Sequence, residues 1–372
     1  MRIGIDAKWY FTGPVSTRVV FRNLLPELFA LYPEHEWIVF LDKRDEGLDF
    51  PFAHANIHVR YVWADNNMLS NLFLLTGHLR KLKVDVMLFQ TFPALRQEVP
   101  SVAFIHDVLF RDFPQFFGWK ERLYFLPLSW LTRHRVGRLV ATTEFVAGEL
   151  LKYHYTGSRA QIDLVPLAVT KMYKPLADHH ADRLALVKEK FGLPDRYLLY
   201  VGRLNVRKNI ENLLKALILI RDPAICLVIV GKEDRKVPDL EVLLADPRIS
   251  KRIILTGGMD DEELTTTYAM ANIFCFPSYA EGFGLPPLEA MASGVPVIVS
   301  QTTSMPEVCG EAAVYIDPSR PESIARALDE LLGNEALYNR MKAAGLERAG
   351  QFTWSGTAHA LMESLQKACK NQ

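Results

Sequence analysis

The chain alternates between apolar strand-like runs and helical or irregular stretches, and it does so in two separate series. The first series of runs occupies Arg2–Asp6, Trp37–Leu41, His58–Val62, Val84–Phe89, Ser101–Ile105 and Arg138–Thr142. The second series occupies Tyr197–Val201, Cys226–Val230, Arg252–Leu255, Ile273–Phe276, Pro296–Val299 and Ala313–Ile316. This rhythm is typical of parallel strands joined by crossover helices. We therefore predict an α/β protein with two parallel sheets.

The length of 372 residues fits two domains of roughly 150 to 200 residues each. Between the two series, residues 167–183 are polar and are broken by Pro175, which indicates a linker. We assign residues 1–170 to an N-terminal domain and residues 171–352 to a C-terminal domain. The tail, residues 353–372, is patterned as a helix with Thr353 or Ser355 available as its N-cap.

Composition excludes several classes of protein. The 43 basic and 43 acidic residues cancel, so no global field attracts nucleic acid. The four cysteines are widely spaced and lack the paired spacing of a zinc site, so we expect reduced thiols. The chain starts in a strand pattern without a signal peptide, and it has no apolar run long enough to span a bilayer. We expect a cytoplasmic protein, soluble or peripheral to the inner face of the membrane.

A glycine- and proline-rich loop, EGFGLPPLEAMASGVPVI, carries the acids Glu281 and Glu289. Gly282 and Gly284 allow positive φ angles and a close approach of ligand to backbone. The two prolines that follow suit the first turn of a helix, whose free N–H groups favour a phosphate. A diphosphate fits the glycines, Glu289 can accept hydrogen bonds from ribose hydroxyls, and Glu281 would lie nearer the reacting group. The alternative is a structural loop in which Glu281 is solvated and Glu289 caps the helix.

Two cations, Arg203 and Lys208, follow the run Tyr197–Val201 in the stretch VGRLNVRKN. Ligands bind beyond the carboxyl ends of parallel strands in open α/β sheets. Two cations at that place can neutralise a pyrophosphate leaving group, the arginine by bidentate hydrogen bonds and the lysine as a point charge. The alternative is that both are ordinary solvated charges.

These motifs together resemble the retaining nucleotide-sugar glycosyltransferases of family 4, also called glycosyltransferase group 1. The similarity rests on VGRLNVRKN, on the two acids with seven residues between them, and on TSMPEV, and it is dense from Tyr197 to Asp317. Upstream, the short stretches IHD, TTEF and VPLAV are also similar. The family implies two Rossmann-like domains facing across a cleft, the acceptor on the N-terminal one and the donor on the C-terminal one. It also implies that the last helix crosses back to the N-terminal domain.

The resemblance implies roles for individual residues. Arg203 and Lys208 would stabilise the departing diphosphate, while Glu281 and the N-terminal His106 would contact the transferred sugar. His106 ends the run SVAFIHD, and the alternative for it is a core histidine. Glu289 would bind the ribose and Met259 would lie near the base. The expected donor-binding residues are Gly13, Met259, Gly282, Phe283, Gly284, Leu285 and Glu289.

The expected reaction needs no metal and no cofactor, because the chain contains no Asp-x-Asp pair and cations can stabilise the diphosphate instead. Retention requires either a carboxylate nucleophile, for which Glu281 is a chemical candidate, or attack from the side of the leaving group. The family implies the second route, in which the leaving phosphate deprotonates the acceptor hydroxyl. The chain departs from many members in YFTGPVSTRVV, where the single Gly13 stands in place of a glycine pair.

The segment 118–138, GWKERLYFLPLSWLTRHRVGR, combines aromatic and apolar residues with five Lys or Arg and one acid. This pattern is compatible with an anionic membrane surface and a lipid-linked acceptor, and the alternative is a buried helix with a basic end. We expect a transferase acting on a saccharide or lipid-linked saccharide in polysaccharide or glycoconjugate synthesis. The alternatives are an enzyme for a small soluble acceptor, a nucleotide-sugar hydrolase or epimerase, and a non-catalytic sensor. Similarity to mannosyltransferases suggests GDP-mannose as donor, with UDP- or dTDP-sugars as alternatives.

Overall fold

The computed structural model describes residues 1–52, 54–63, 66–96, 99–234 and 237–370. The chain divides into two compact units. Unit 1 comprises Met1–Leu167 with Thr353–Gln372, and unit 2 comprises Ala168–Phe352. Each unit contains a parallel sheet with helices, so the predicted α/β class is confirmed.

Unit 1 contains a sheet in the order β3-β2-β1-β4-β5-β6-β7, in which all neighbours are parallel. Its strands are β1 (Arg2–Asp6), β2 (Glu36–Asp42), β3 (Ile57–Val62), β4 (Val86–Gln90), β5 (Ser101–Ile105), β6 (Arg138–Ala141) and β7 (Ile162–Leu164). Every residue of β4 and β5 is buried, as expected for a sheet covered on both faces. The direction of the strand order reverses between β1 and β4, which opens a crevice at their carboxyl ends.

The helices before the second unit are mostly short. They are α1 (Val15–Leu31), α2 (Asn67–Leu69), α3 (Thr76–Lys81), α4 (Leu109–Asp112), α5 (Trp119–Phe125), α6 (Leu128–Arg135) and α7 (Glu144–Lys152). Between α2 and α3 the chain forms a π-helical turn, Ser70–Leu75. One polar side chain of this turn, Asn71, is fully buried and bonds to the buried pair Asp6 and Lys8.

Unit 2 contains a sheet in the order β10-β9-β8-β11-β12-β13, again parallel throughout. Its strands are β8 (Tyr197–Val201), β9 (Cys226–Val230), β10 (Ile253–Gly257), β11 (Ile273–Phe276), β12 (Val297–Ser300) and β13 (Ala313–Ile316). Its helices are α8 (Ala181–Phe191), α9 (Ile210–Leu219), α10 (Leu240–Leu244), α11 (Asp261–Met270), α12 (Leu285–Ala292), α13 (Met305–Cys309), α14 (Pro321–Gly333) and α15 (Glu335–Gly350). Here the strand order reverses between β8 and β11.

The C-terminal helix α16 (Trp354–Lys370) belongs to unit 1, where it packs against α1 and the central strands. Thr353 caps it by accepting a hydrogen bond from the Gly356 N–H at 3.1 Å. The Thr357 hydroxyl donates to the carbonyl of Pro166 at 2.7 Å. The buried face of α16, with Leu361 and Leu365 fully covered, explains why an amphipathic helix at this place is stable.

The segment from 118 to 138 differs from the predicted alternative of one buried helix with a basic end. It forms two short helices, α5 and α6, rather than one buried helix. Arg138 does not belong to its basic surface, because it is buried at the start of β6 and pairs with Asp163 at 2.5 Å. Four large apolar side chains are at least half exposed: Trp119, Leu123, Leu126 and Trp130.

Candidate active site

The candidate site of unit 2 lies where its strand order reverses. The loop after β8 carries Arg203 and ends in a 3₁₀ turn, Val206–Lys208, capped by the side chain of Asn205. The loop after β11 runs from Pro277 to Gly284 and leads into α12. Because β8 and β11 are neighbours in a parallel sheet, their carboxyl ends deliver both loops to the same edge.

The structure brings Lys208 and Glu281 together. The ammonium Nζ of Lys208 is 2.7 Å from Glu281 Oε1, and both side chains are largely buried. Oε2 of the same carboxylate is 3.1 Å from Arg207 Nη1. The hydroxyl of Ser278 also bonds to Oε1. Glu281 is therefore not the solvated acid of the structural-loop alternative, because its carboxylate is buried between two cations.

Burial and charge oppose each other at this cluster. Burial raises the pKa of Glu281, but Arg207 and then Lys208 outweigh it and bring that pKa to about 2. Burial lowers the pKa of Lys208 to about 8, against the attraction of Glu281. Near neutral pH the cluster therefore carries an ionised carboxylate and a lysine that loses its proton only a little above that range.

The loop before α12 contains a glycine in a conformation that allows a ligand to approach the backbone closely. Gly284 has a φ of 94°, and a Cβ at this position would approach Met305 Cε to 2.2 Å, so no other residue fits without a shift. Pro286 and Pro287 stand in the first turn of α12, as predicted. The Ser304 hydroxyl donates to the carbonyls of Glu281 at 2.8 Å and Phe283 at 3.3 Å and fixes the loop. The helix therefore presents its first N–H groups, from Leu285 onward, at a rigid corner.

Glu289 lies on α12, one turn beyond this corner. The Tyr268 hydroxyl donates to its Oε2 at 2.9 Å, and Tyr173 lies close to it. Burial raises the pKa of Glu289 to about 7. Glu289 does not cap α12, because the cap position is Gly284 and has no side-chain bond. The capping alternative is therefore wrong, and the carboxyl group is bound by Tyr268 instead.

The other residues predicted for unit 2 lie at its remaining loops. Arg203 is exposed, and its Nη1 is 3.1 Å from Asp234. It is near enough to Lys208 to help lower the pKa of that lysine. Met259 lies between β10 and α11, and its sulfur accepts a hydrogen bond from Thr267 at 3.4 Å. Gly282 and Phe283 are buried in the loop before α12.

His106 and Gly13 belong to unit 1. His106 directly follows β5, and its ring packs on Phe104 with 4.8 Å between centroids. Burial lowers the pKa of His106 to about 4, so the imidazole is neutral near pH 7. Its Nε2 is buried and has no partner among the described residues. Gly13 lies in the turn between β1 and α1 with a φ of 127°, where a Cβ would meet Trp9 at 2.8 Å.

Sequence reasoning missed several residues that shape the site. Arg207 precedes Lys208 in the sequence, and that basic pair is the only local sign of its role. Ser278 precedes Glu281 by three residues without any motif of its own. Tyr173 and Tyr268 reach Glu289 from distant parts of unit 2, and nothing in their local sequence indicates it.

Two parallel α/β units, one of them with a helix N-terminus beside a buried Lys–Glu pair, are compatible with a transferase. Comparison with known families gives the same class. Residues 185–348 match the model described as glycosyl transferases group 1, and residues 19–170 match the model described as glycosyltransferase family 4. The chain belongs to this glycosyltransferase family.

Similar proteins include two mannosyltransferases of Escherichia coli. The chain is 32% identical to the serotype-specific mannosyltransferase WbdA over 63% of its own length, a match that spans 29% of WbdA. It is 32% identical to the O-antigen chain mannosyltransferase B over 68% of its own length and 67% of that protein. The chain thus spans less than a third of WbdA, the longer of these relatives.

Solved structures share the fold at low identity. Sucrose-phosphate synthase from Thermosynechococcus elongatus superimposes with a TM-score of 0.78 at 18% identity and full coverage of both chains. Anabaena HepE, solved with UDP and glucose, superimposes with a TM-score of 0.75 at 16% identity over 99% of this chain and 100% of that one.

The raised pKa of Glu289 predicts a pH-dependent stability. Its folded pKa of about 7 exceeds its ordinary value of 4.5, so the folded chain retains a proton that the unfolded chain releases between those values. The contribution to stability is complete below about 4.5 and is lost as the pH rises through about 7. Glu289→Gln should remove this dependence, so the difference in melting temperature between variant and parent should change across this window.

The measurement is a series of melting curves of both chains from about pH 4.5 to pH 8. Glu241→Gln is the matched control, because Glu241 is exposed on α10 and should show no such trend. A constant difference between Glu289→Gln and the parent at every pH would contradict the raised pKa.

Proposed function

We propose that the protein is a retaining transferase that moves a sugar from a nucleoside-diphosphate sugar to a saccharide acceptor. The observation that carries this proposal is the buried Lys208–Glu281 pair beside the N-terminus of α12, at the reversal of the strand order. A cation, a set of free N–H groups and a carboxylate meet there on rigid strand ends. Such preorganised donors stabilise charge that develops on a leaving diphosphate.

Lys208 and the corner at Gly284 and Leu285 are the proposed diphosphate site. A diphosphate carries more negative charge than one carboxylate, so it can attract Lys208 away from Glu281. Arg203 is exposed on the same loop as Lys208 and can turn from Asp234 toward the ligand. These groups supply positive charge at the place where many transferases use a divalent cation, which supports a metal-independent reaction.

Glu281 and His106 are the proposed contacts of the transferred sugar. Glu281 bonds through both oxygens to cations and to Ser278, so its lone pairs are less available for attack on the anomeric carbon. This favours attack from the leaving-group side over a covalent intermediate. The neutral imidazole of His106 has a nitrogen without a partner among the described residues and can bond to a sugar hydroxyl.

Glu289 and Met259 are the proposed contacts of the nucleoside. Bonding to ribose hydroxyls favours the ionised carboxylate of Glu289, so donor binding would lower its pKa. The names of the two Escherichia coli relatives favour mannose as the sugar and hence GDP-mannose as the donor. The UDP bound by HepE shows that this fold also accommodates a uridine nucleotide, which keeps UDP-sugars as the second candidate.

A glycan acceptor in surface polysaccharide synthesis is supported by the similarity to the O-antigen chain mannosyltransferase B and by the exposed apolar and basic side chains of α5 and α6. Beside the exposed side chains of α5 and α6, the cations Lys120, Arg122 and Arg133 are exposed. No described helix is long and apolar enough to cross a bilayer. Aromatic and leucine side chains flanked by cations suit the interface of an anionic membrane, where a lipid-linked acceptor resides.

Removal of the Lys208 charge should impair turnover much more than folding. We expect Lys208→Ala to lower kcat by about 10²- to 10³-fold, as for the loss of one preorganised donor. Lys215→Ala, an exposed lysine on α9, is the matched control and should behave as the parent. A calorimetric panel of GDP, UDP, ADP and dTDP, without metal and then with magnesium, first identifies the diphosphate. Release of that diphosphate from its sugar donor, with water or an added saccharide taking up the sugar, then measures kcat.

Two outcomes would contradict this assignment. Near-normal kcat of Lys208→Ala at saturating donor would remove Lys208 from the leaving-group site. Absence of binding of every diphosphate to the parent chain, with and without magnesium, would contradict the donor site as a whole.

The exposed side chains Trp119, Leu123, Leu126 and Trp130 with the neighbouring cations form what we call the α5–α6 surface. If the protein contacts a membrane through this surface, substitutions in it should determine binding to lipid vesicles. Leu123→Asp should abolish co-sedimentation with vesicles of phosphatidylglycerol and phosphatidylcholine, since it places a negative charge among the exposed apolar side chains of this surface. Leu186→Asp, a change of an equally exposed leucine on α8 of unit 2, is the control. The parent should bind anionic but not neutral vesicles, and less in high salt. Equal sedimentation of parent and Leu123→Asp would contradict the membrane assignment.

A further inference from the structure

Arg207 joins the two loops of the unit 2 site through both its backbone and its side chain. Its carbonyl accepts hydrogen bonds from the Tyr279 N–H at 2.9 Å and the Ser278 hydroxyl at 3.2 Å. Its Nη1 donates to the carbonyl of Ala280 at 2.5 Å and lies 3.1 Å from Glu281 Oε2. Arg207 thus contacts each of the four residues from 278 to 281, although its own loop follows a different strand.

The two cations of the cluster share Glu281 but are held differently. Arg207 and Lys208 each approach a separate oxygen of the carboxylate. Lys208 has no other anionic partner near its ammonium among the ion pairs of the described residues, and its Nζ otherwise lies 4.7 Å from the ring centre of Phe276. Arg207 is fixed by the Ala280 carbonyl as well, so its position does not depend on the carboxylate alone.

This difference determines what happens when a second anion arrives. A buried carboxylate that loses its last cation is strongly destabilised. If Lys208 leaves Glu281 for a diphosphate, Arg207 still neutralises Glu281 and keeps the loop from 278 to 281 in place. Without Arg207, the same exchange would leave an unpaired buried carboxylate, so Lys208 would stay on Glu281 or the loop would move.

We propose that Arg207 is a positioning residue of the transfer reaction, which holds Glu281 ionised and in place while Lys208 moves to the diphosphate of the donor. This inference rests on the function proposed above. Arg207 acts through Glu281 and needs no contact with the donor.

A role of this kind predicts a change in the pH profile that a purely structural role would not cause. The charged and titratable groups that act on Lys208 are Glu281, Arg207 and Arg203, and Glu281 is in addition near Tyr200. The charge of Arg207 lowers the pKa values of both Lys208 and Glu281. Its removal should therefore raise both pKa values. The pH above which kcat/KM falls, here called the alkaline limit, reports the pKa of Lys208 in the free enzyme. The alkaline limit should therefore move upward from about 8.

The test compares Arg207→Met, which keeps length and loses charge, with Arg207→Lys, which keeps the charge. Full-length parent and variants are assayed with GDP-mannose and UDP-glucose, and affinity for free GDP and UDP is measured by calorimetry. We expect Arg207→Met to lower kcat by about 10²-fold, the scale of a misplaced reacting group, and to shift the alkaline limit upward. Affinity for the free diphosphate should fall much less than kcat, because Arg207 does not bind the diphosphate and only the contact of Lys208 is weakened. Arg207→Lys should restore most of kcat and the original alkaline limit.

The outcomes separate this inference from the proposed function. A parent chain that turns over neither donor contradicts the proposed function, and the inference falls with it. An active parent with an Arg207→Met variant of unchanged kcat and pH profile overturns the inference alone. Loss of diphosphate affinity in parallel with kcat overturns it as well, since Arg207 would then be a ligand contact. If Arg207→Met does not fold, Arg207→Lys alone tests the inference. An Arg207→Lys variant that keeps the charge but has an about 10²-fold lower kcat and a higher alkaline limit than the parent then overturns the inference.

Discussion

The buried carboxylate of Glu281 is the constraint on which the rest of the unit 2 site depends. An ionised group away from water is tolerated only where cations and hydrogen bonds replace its hydration. Here Lys208 and Arg207 come from the loop after β8, and Ser278 comes from the loop after β11. Each of these partners fixes a different part of the two loops. The ion cluster therefore links the two strands between which the sheet order reverses, and it sets the geometry of the corner before α12.

The energetics of this cluster suit exchange better than permanent stability. Burial lowers the pKa of Lys208 to about 8 even beside a carboxylate, so the site does not hold the ammonium as strongly as the short distance suggests. A buried ion pair is in general weak evidence for stability, because desolvation offsets much of the attraction. When the cost of desolvation nearly cancels the attraction within an ion pair, the two ions can separate so that the cation binds a more highly charged anion. The neighbouring first turn of α12 offers N–H groups to that same anion.

The sequence predicts the sheets well because buried parallel strands read as continuous apolar runs. The exception is β7, whose three residues, Ile162–Leu164, are too few to show a pattern. The sequence also indicates Lys208, Glu281 and Glu289, since they stand in loops with unusual glycine and proline content. It does not indicate Tyr173 and Tyr268, because their contact with Glu289 depends on the packing of separate elements. The prediction that Arg138 belongs to a basic surface is wrong for a similar reason: its partner, Asp163, lies 25 positions away in the chain.

The comparisons indicate which parts of the molecule can decide specificity. Sucrose-phosphate synthase and HepE share the fold with this chain at 18% and 16% identity. A parallel sheet tolerates such divergence because any set of apolar side chains with the right volume and pattern can fill its core. The fold alone therefore does not choose a sugar or an acceptor. We propose that this choice resides in side chains outside the sheet cores, such as Met259 after β10 and the exposed surface of α5 and α6. In the function proposed above, the charge of Lys208 serves any diphosphate leaving group, whereas the residues outside the sheet cores distinguish one donor or acceptor from another.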